Sequence, residues 1–493
     1  MERFYNLING IKVPPVANKW MGSLDPYRNE DWCEIPDSGE ADVDAAVAAA
    51  RSAFMSPEWK GMSQTARGAM LRTLGDLITE NAQRLAEIEV RDNGKLLTEM
   101  LAQLRYLPQW FYYYGGLADK MEGGVLPIDK ADHFVYTAWE PLGVVAAITA
   151  WNSPLLLLTW KLAPGLAAGN TFVVKPSEFA SASTLAFAEL FEKAGFPAGV
   201  INVVCGTGQG AGAHLVAHPD VAKIAFTGSD AAGRIISRAA AGELKHITME
   251  LGGKSPNIVF EDADLDSAAA GVASGIFAAA GQTCIAGSRL LLQRSIYSAF
   301  LDKVTAMASA IKIGDPMDPA TQMGPLANTA HYSKVLNCIA SAERAGCKLS
   351  FGGKPIDHPA GGLFVQPTVF NDVDNNSELA QHEIFGPVLA VIPFDSEEDA
   401  IRLANETDYG LGAGVWTKDM ARVFRMTKSL QAGTVWVNTY RSLGYMAPFG
   451  GVKGSGLGRE SGQEMIKSYM QMKTVWINNS TQPVANPFVM RLG

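Results

Sequence analysis

The sequence predicts an α/β protein built from two doubly wound α/β domains. Three observations lead there. The 493-residue chain is too long for one hydrophobic core and implies two or three domains. Between residues 143 and 241 short apolar runs alternate with helical periods, the pattern of a parallel sheet covered by helices on both faces. A second pattern of the same kind starts near Asn257 and continues to Asn438.

Taken in order, the chain opens with a short arm and then turns helical. Residues 42–54 are Ala-rich and end at Ser56-Pro57. Ser63 suits an N-cap for 65–78, where Met70, Leu71, Leu74, Leu77 and Ile78 follow helical spacing. A third helix is expected from about 81 to 91, stopped at Asp92-Asn93-Gly94, and a fourth over 98–119. The aromatic run in that fourth segment, Trp110 to Tyr114, reads as packing. Residues 125–137 are strand-like and form a hairpin candidate.

Residues 143–151 read as a buried strand, an apolar run without polar alternation. Helices over 155–168, 181–194, 212–217 and 231–241 then alternate with strands over 171–174, 200–204 and 221–226. Ligands of such sheets sit beyond the carboxyl ends of the strands. Trp151-Asn152, 175–178, 206–210 and 227–229 fall at those ends. In the second pattern, strands over 290–292, 389–394 and 433–438 flank helices over 296–311, 331–345 and 397–405. A final strand is expected over 473–478, before a polar tail. Internal repeats, low-complexity stretches and flexible linkers do not stand out.

Composition narrows the function classes. At 47% hydrophobic and 18% charged residues the chain can bury large cores. A net charge of −9 argues against a nucleic-acid partner, which needs a basic face. Five cysteines without a CxxC pair fit a reducing compartment and rule against a zinc ribbon. No two histidines are spaced as metal ligands, so no metal is expected. The start lacks the apolar stretch of a signal peptide, and no run approaches the ~18 apolar residues of a membrane helix. The expectation is a cytoplasmic protein with no membrane partner.

Chemistry concentrates between Thr248 and Ala286. A carboxylate, Glu250, opens Glu-Leu-Gly-Gly-Lys-Ser-Pro, and a thiol, Cys284, follows Gly281-Gln282-Thr283. An Ala-rich helix over 264–277 separates them and brings them together if the chain doubles back. A thiol beside a carboxylate suits covalent catalysis followed by base-assisted release. Alone, the same cysteine reads as a small buried hydrophobe. Lys175-Pro176-Ser177-Glu178 ends a strand with groups able to hold ribose hydroxyls, and Glu178 would repel a 2′-phosphate. Gly228-Ser229 opens a helix, with Gly233 on its first turns, in a context suited to phosphate. Asn152 offers an amide for an oxyanion, and Glu383 with Phe385 could hold a ribose and flank a ring. Each of these alone is also a surface pair, a helix start or a turn.

Together they resemble the NAD(P)-dependent aldehyde dehydrogenase superfamily over essentially the whole chain. The resemblance rests on Trp151-Asn152-x-Pro154, Lys175-Pro176-x-Glu178, Phe226-Thr227-Gly228-Ser229, Glu250-Leu251-Gly252-Gly253-Lys254 and Gly281-Gln282-x-Cys284. It continues through Glu383-Ile384-Phe385-Gly386-Pro387, Pro448-Phe449-Gly450-Gly451 and Gly456-x-Gly458-Arg459-Glu460. It implies a Rossmann-like NAD-binding domain over 1–120 and 141–250, a catalytic domain over 251–450, and a small β oligomerisation element over 121–140 and 465–493. That element would pair subunits into a homodimer or homotetramer, hiding an exposed strand edge.

By the same resemblance Cys284 is the nucleophile, Glu250 the base that activates the deacylating water, and Asn152 with the Cys284 N–H the oxyanion hole. Glu460 matches a carboxylate assigned to proton relay. Trp151, Lys175, Ser177, Glu178, Gly208, Thr227, Gly228, Ser229, Gly233, Leu251, Glu383 and Phe385 would hold NAD. Leu156, Leu157, Trp160, Leu443 and Phe449 would line the substrate funnel, with Arg441 toward its mouth. The chain departs from the family at three places. Ala279 replaces a frequent Asn, and Ser153 and Ala278 replace aromatic walls, which would widen the funnel toward bulky or aromatic aldehydes. The reading is an NAD-dependent, hydrolytic aldehyde dehydrogenase. A CoA-acylating enzyme, which dispenses with the base, and a nucleotide-free cysteine hydrolase are the alternatives.

Overall fold

The computed structural model describes residues 1–483, 486 and 488. Its first sheet is organised around Val144–Ile148, five buried residues whose side chains alternate between two cores. Val145 and Ala147 face a large cluster built with helices Gln64–Asn93, Pro154–Ala167 and Ala182–Lys193. Val144, Ala146 and Ile148 face a second cluster with helix Glu40–Met55. Five strands run parallel here, in the spatial order His246–Glu250, Val221–Thr227, Val144–Ile148, Thr171–Lys175, Ile201–Val203. Their order reverses at Val144–Ile148, which places a switch-point crevice beside Val221–Thr227. The register aligns Ile148 with both Lys175 and Phe226, and Thr227 with Glu250. Four strand ends therefore stand in one row.

The chain crosses to the second sheet between Glu250 and Pro256. That sheet has the order Lys348–Phe351, Thr368–Asn371, Val388–Phe394, Arg289–Gln293, Pro256–Val259, Gly412–Trp416, Thr434–Val437, and only the first pairing is antiparallel. It too has a core on each face, with Ile258 and Leu291 on one side and Val259, Leu290 and Leu292 on the other. Gly456–Leu457 returns to the first sheet and pairs antiparallel with Met249 and Glu250. The two sheets are thus tied at the Glu250 end.

The α/β expectation holds, with differences in its parts. The helices expected over 65–78 and 81–91 are one helix, Gln64–Asn93. Asn81, taken for a boundary, continues it and donates its side-chain amide to the Leu77 carbonyl at 2.8 Å. Its ends are as expected: Ser63 accepts from the Ala66 N–H, and Gly94 closes it in the left-handed conformation. The helix expected over 98–119 breaks at Pro108 into Leu97–Tyr106 and Pro108–Leu117. In place of the 125–137 hairpin there is a lone bridge between Val125 and Tyr136. Strand His133–Pro141 pairs instead with Met470–Asn478 as a separate two-stranded ribbon. Residues 484, 485, 487 and 489–493 of the expected oligomerisation element lie outside the described residues.

The N-terminal arm is not bare. Asn6–Ile8 and Ile11–Val13 form a hairpin that extends the first sheet. Its turn is Asn9-Gly10, both at positive φ, 52° and 75°. Asn-Gly between apolar residues is a strong hairpin signal, and it was legible in Ile8-Asn9-Gly10-Ile11.

One buried cation secures the second sheet next to the crossing. Arg289 is fully buried and donates to the carbonyls of Lys254, Leu403 and Ala404 and to the Asn375 side chain, at 2.8 to 3.0 Å. Leu403 and Ala404 are in the last turn of helix Glu397–Asn405, where free carbonyls favour a cation. Arg289→Met would leave these acceptors unsatisfied and cost about 3 kcal/mol or more. Urea unfolding should show that loss as a lower midpoint. Arg294→Ala, which removes an exposed pair with Asp395, should hardly move it.

Candidate active site

Cys284 lies where two cavities meet. One, of about 370 Å³, runs along the strand ends of the first sheet; the other, of about 270 Å³, runs between helices Leu97–Tyr106, Pro108–Leu117 and Pro154–Ala167 and the 441–449 loop. Cys284, Asn152 and Leu157 border both. A thiol at that junction can be reached by two different molecules at once.

The turn that carries Cys284 is built by the sequence on either side. Asp264 caps helix Leu265–Phe277, accepting from the Ser267 N–H. The helix gives way to a tight turn, Ala278–Gly281, in which Ala279 and Ala280 have φ of 54° and 53°. Such left-handed alanines cost roughly 1–2 kcal/mol each. An Asn at 279 would bear that conformation more easily, so the departure noted in the sequence falls on a strained residue. Gln282 holds the turn: its side chain accepts from Ala327 N–H and donates to the carbonyls of Ala279 and Pro325. Asn152 donates its amide to the Gln282 carbonyl at 3.1 Å, which fixes the amide beside the thiol. A Cβ on Gly253 would come within 2.7 Å of the Cys284 carbonyl, so the Glu250–Gly253 segment lies directly against this turn.

Charge around the thiol is arranged by burial. The Cys284 thiol is pushed up to about 12 by desolvation, then by Glu383 and Glu250, with the Ile285 N–H and Lys95 opposing. Glu250 ends its strand, is 3% exposed, and accepts no hydrogen bond from protein groups. Desolvation first, and then Glu460, raise its carboxyl well above the usual range, against Lys161 and Arg459. Behind it, Glu460 accepts from Lys161 Nζ at 2.7 Å with both side chains fully buried, and Lys161 also donates to Thr227 at 2.8 Å. Glu460 itself borders neither cavity.

The larger cavity collects Trp151, Lys175, Ser177, Glu178, Gly208, Thr227, Gly228, Ser229, Leu251, Glu383 and Phe385. Gly233 is not on its wall; it packs against Leu251, where a Cβ would clash at 2.5 Å. Lys175 Nζ donates to Glu178 at 3.0 Å, and the Gly208 N–H donates to the other Glu178 oxygen at 3.2 Å. Burial works to raise the Glu178 carboxyl, but Lys175 and backbone N–H groups outweigh it and hold it low. Ser229 caps helix Asp230–Gly242. Glu383 accepts from the Gly253 N–H at 3.0 Å, and a Cβ on Gly252 would sit 2.3 Å from its other oxygen. Burial lifts the Glu383 carboxyl to about 7, against that N–H and against Lys334 and Lys254.

Among the residues of this wall that escaped the sequence reading are His331 and Lys334. His331 bonds through Nε2 to the Phe385 carbonyl at 2.8 Å, and burial lowers it to about 4, so the neutral ring donates. It supports Phe385, which has φ 65° and meets Trp151 edge-on at 5.3 Å. His331 and Lys334 lie in an ordinary amphipathic helix, Thr329–Arg344, where nothing local marks a ligand face.

The smaller cavity collects Ser153, Leu156, Leu157, Trp160, Arg441, Leu443 and Phe449, but not Ala278. Ala278 begins the turn before Cys284, and Thr283 and Ile285 form the wall on that side. Trp110, read as packing, does both: it stacks on Trp160 at 6.3 Å, donates to Ser461, and borders the cavity. Lys95, Gln103 and Tyr106 complete the wall and were missed, because nothing local marks them as facing a cavity. Arg441 donates to the Ser274 carbonyl at 3.0 Å. Among the described residues no group of His, Cys, Asp and Glu is arranged to hold a metal.

Comparison with known proteins agrees with this geometry. The model of the aldehyde dehydrogenase family matches residues 13–475. A (Z)-2-((N-methylformamido)methylene)-5-hydroxybutyrolactone dehydrogenase of Acinetobacter baylyi is 44% identical over the full length of both chains. The peroxisomal aminoaldehyde dehydrogenase 1 of Pisum sativum is 43% identical, covering 97% of this chain and 96% of its own. An aldehyde dehydrogenase of Bacillus cereus, solved as an NAD+ complex, superposes with a TM-score of 0.95 at 42% identity and 97% coverage of both chains. With a family model spanning nearly the whole sequence and relatives matched end to end, the chain belongs to the aldehyde dehydrogenase family.

Proposed function

We propose that the chain oxidises an aldehyde to the carboxylic acid with NAD as hydride acceptor, through a covalent intermediate on Cys284. The observation that carries this reading is the position of Cys284 at the meeting of two cavities, with Asn152 on one side and Glu250 free of protein hydrogen bonds on the other. The larger cavity fits a dinucleotide. Lys175 and Glu178 stand where an adenosine ribose would be held, Ser229 at a helix N-terminus suits the pyrophosphate, and Glu383 is seated in space that a side chain at 252 would fill. The likeness to the Bacillus cereus NAD+ complex supports the same choice.

When bound, NAD supplies the hydride acceptor. The protein does the rest. Glu250 takes the Cys284 proton, directly or through water, because a thiol pushed to about 12 is unreactive until a base removes it. The thiolate adds to the aldehyde carbon, and Asn152 Nδ2–H with the Cys284 N–H stabilises the oxyanion. After hydride loss a thioester remains on Cys284. Glu250 passes that first proton on to solvent and then removes one from water, which attacks the thioester carbon; the acid leaves, and Glu250 returns its proton to the departing thiolate. A carboxyl with a raised pKa suits both proton transfers. Lys161 and Glu460 stand behind Glu250 as a buried polar path for the proton. A CoA-acylating enzyme has no use for Glu250, and a nucleotide-free hydrolase none for Lys175, Glu178 and Glu383.

Two lesser readings belong with this one. The ribbon of His133–Pro141 and Met470–Asn478 exposes Phe134, Met472, Trp476 and Ile477. A two-stranded ribbon is marginal alone, which supports a homodimer or homotetramer joined through it. Five free cysteines and the absence of any helix, among the described residues, long and apolar enough to cross a membrane support a cytoplasmic enzyme.

Cys284→Ala should abolish oxidation while NAD still binds, as read by quenching of protein fluorescence; turnover near wild type would remove Cys284 from the mechanism. Glu250→Gln, lacking the base for both the thiol and the deacylating water, should form NADH without a fast burst, and steady turnover should fall by about 10²–10⁴-fold. In the wild type, kcat should rise with pH as Glu250 loses its proton, over a range above that of ordinary carboxyls, and Glu250→Gln should lose that limb. Glu178, held ionised, should disfavour NADP, and Glu178→Ser should narrow the kcat/KM gap between NAD and NADP. A wild-type preference for NADP would contradict this account of the 175–178 corner.

A further inference from the structure

The cavity leading from Cys284 to Arg441 has charge of one sign only. Lys95 and Arg441 both line it, and none of its lining residues is an Asp or Glu. Lys95 is the unusual member. It follows the C-terminus of helix Gln64–Asn93, is 3% exposed, and donates from Nζ to Ser153 Oγ at 2.8 Å. Ser153 stands at the N-cap of helix Pro154–Ala167, where a hydroxyl usually accepts from the first turn; it makes no such bond and serves the ammonium instead.

Among the described residues Lys95 makes no ion pair. Glu89 and Glu99 act on it only at longer range. Burial lowers its pKa to about 8, with Glu99 opposing and Arg441 adding to the fall, so it stays largely cationic at neutral pH. An ammonium carries three donors, and one hydroxyl acceptor leaves two of them for other partners. A desolvated cation short of a counter-charge is costly, and an anion arriving beside it relieves that cost. Arg441, with one nitrogen tied to the Ser274 carbonyl, keeps further donors and adds to the positive field. The space that Ser153 leaves in the wall is thus met by a cation.

We propose that the substrate is a short aldehyde bearing a carboxylate, and that Lys95, presented by Ser153, is the residue that selects it. The inference rests on the reading of Cys284 as nucleophile: a carboxylate held by Lys95 belongs to the molecule whose carbonyl meets Cys284 in the same 270 Å³ cavity. An aldehyde bearing a fixed positive charge would enter against two cations without a carboxylate to receive it.

The test uses the intact enzyme with NAD and three aldehydes of matched length, ending in carboxylate, methyl and trimethylammonium. Wild type should prefer the carboxylate over the methyl compound by about tenfold or more in kcat/KM, as expected for one charge-assisted bond, with the ammonium compound poorest. Lys95→Met should collapse the carboxylate-to-methyl ratio by a similar factor, chiefly through KM, and Lys95→Arg should restore part of it. Ser153→Ala should lower the ratio less. A wild-type ratio near one, or a ratio unchanged in Lys95→Met, overturns the proposal. If Lys95→Met fails to fold, a matched-length dicarboxylate decides with the wild type: inhibition competitive with aldehyde supports the proposal, and its absence overturns it. If no aldehyde of the three is oxidised, the dehydrogenase reading fails first and this inference with it.

Discussion

The structure depends first on the parallel pairing of Val221–Thr227 with its two neighbours, Val144–Ile148 and His246–Glu250. Backbone hydrogen bonds of a parallel ladder allow no slip without turning every side chain to the wrong face. Here both faces are buried by separate cores, so the register is strongly specified. Its consequence is chemical. The strand ends deliver Thr227, Lys175 and Glu250 to one row, and the reversal of strand order opens the crevice above them. Gly456–Leu457 closes the far side by pairing with the strand that ends in Glu250.

From that row the chain reaches the second sheet in a few residues, which is why the two chemical groups can meet. Glu250 leaves one sheet, Cys284 returns beneath the other, and the Gly252-Gly253 pair lets the two segments touch without side chains between them. The desolvation that follows does opposite work on the two groups. It keeps the thiol protonated at rest, and it raises the carboxyl toward the range in which a base gains and loses a proton readily.

The two cavities differ in their electrostatics as much as in their shape. In the larger cavity, carboxylates are held by partners: Glu178 by Lys175 and the Gly208 N–H, Glu383 by the Gly253 N–H. On the other side, two cations face the space without a carboxylate in the wall. Family membership sets the reaction, but relatives named for an aminoaldehyde and for a hydroxybutyrolactone share the same overall likeness, so the likeness does not by itself set the substrate.

By itself the sequence determined the fold class, the strand and helix alternation, and the residues gathered along the larger cavity, since short contiguous motifs at strand ends carry both signals. Trp151-Asn152, Lys175 to Glu178 and Thr227 to Ser229 were legible because a parallel sheet exposes the segment that follows each strand. Boundaries within helices were less legible: Asn81 suggested a break that the buried face of Gln64–Asn93 overrides. Only the tertiary structure decided what meets across elements. Lys95 with Ser153, His331 with Phe385, and Lys161 with Glu460 are each far apart in the chain, and no local pattern marks the pairing. Ala278 and Gly233 went the other way, placed on cavity walls by resemblance and found behind them. The physical reason is common to all: strand-end chemistry is set by backbone register within one sheet, whereas a cavity wall is set by which side chains from several helices and loops converge after packing.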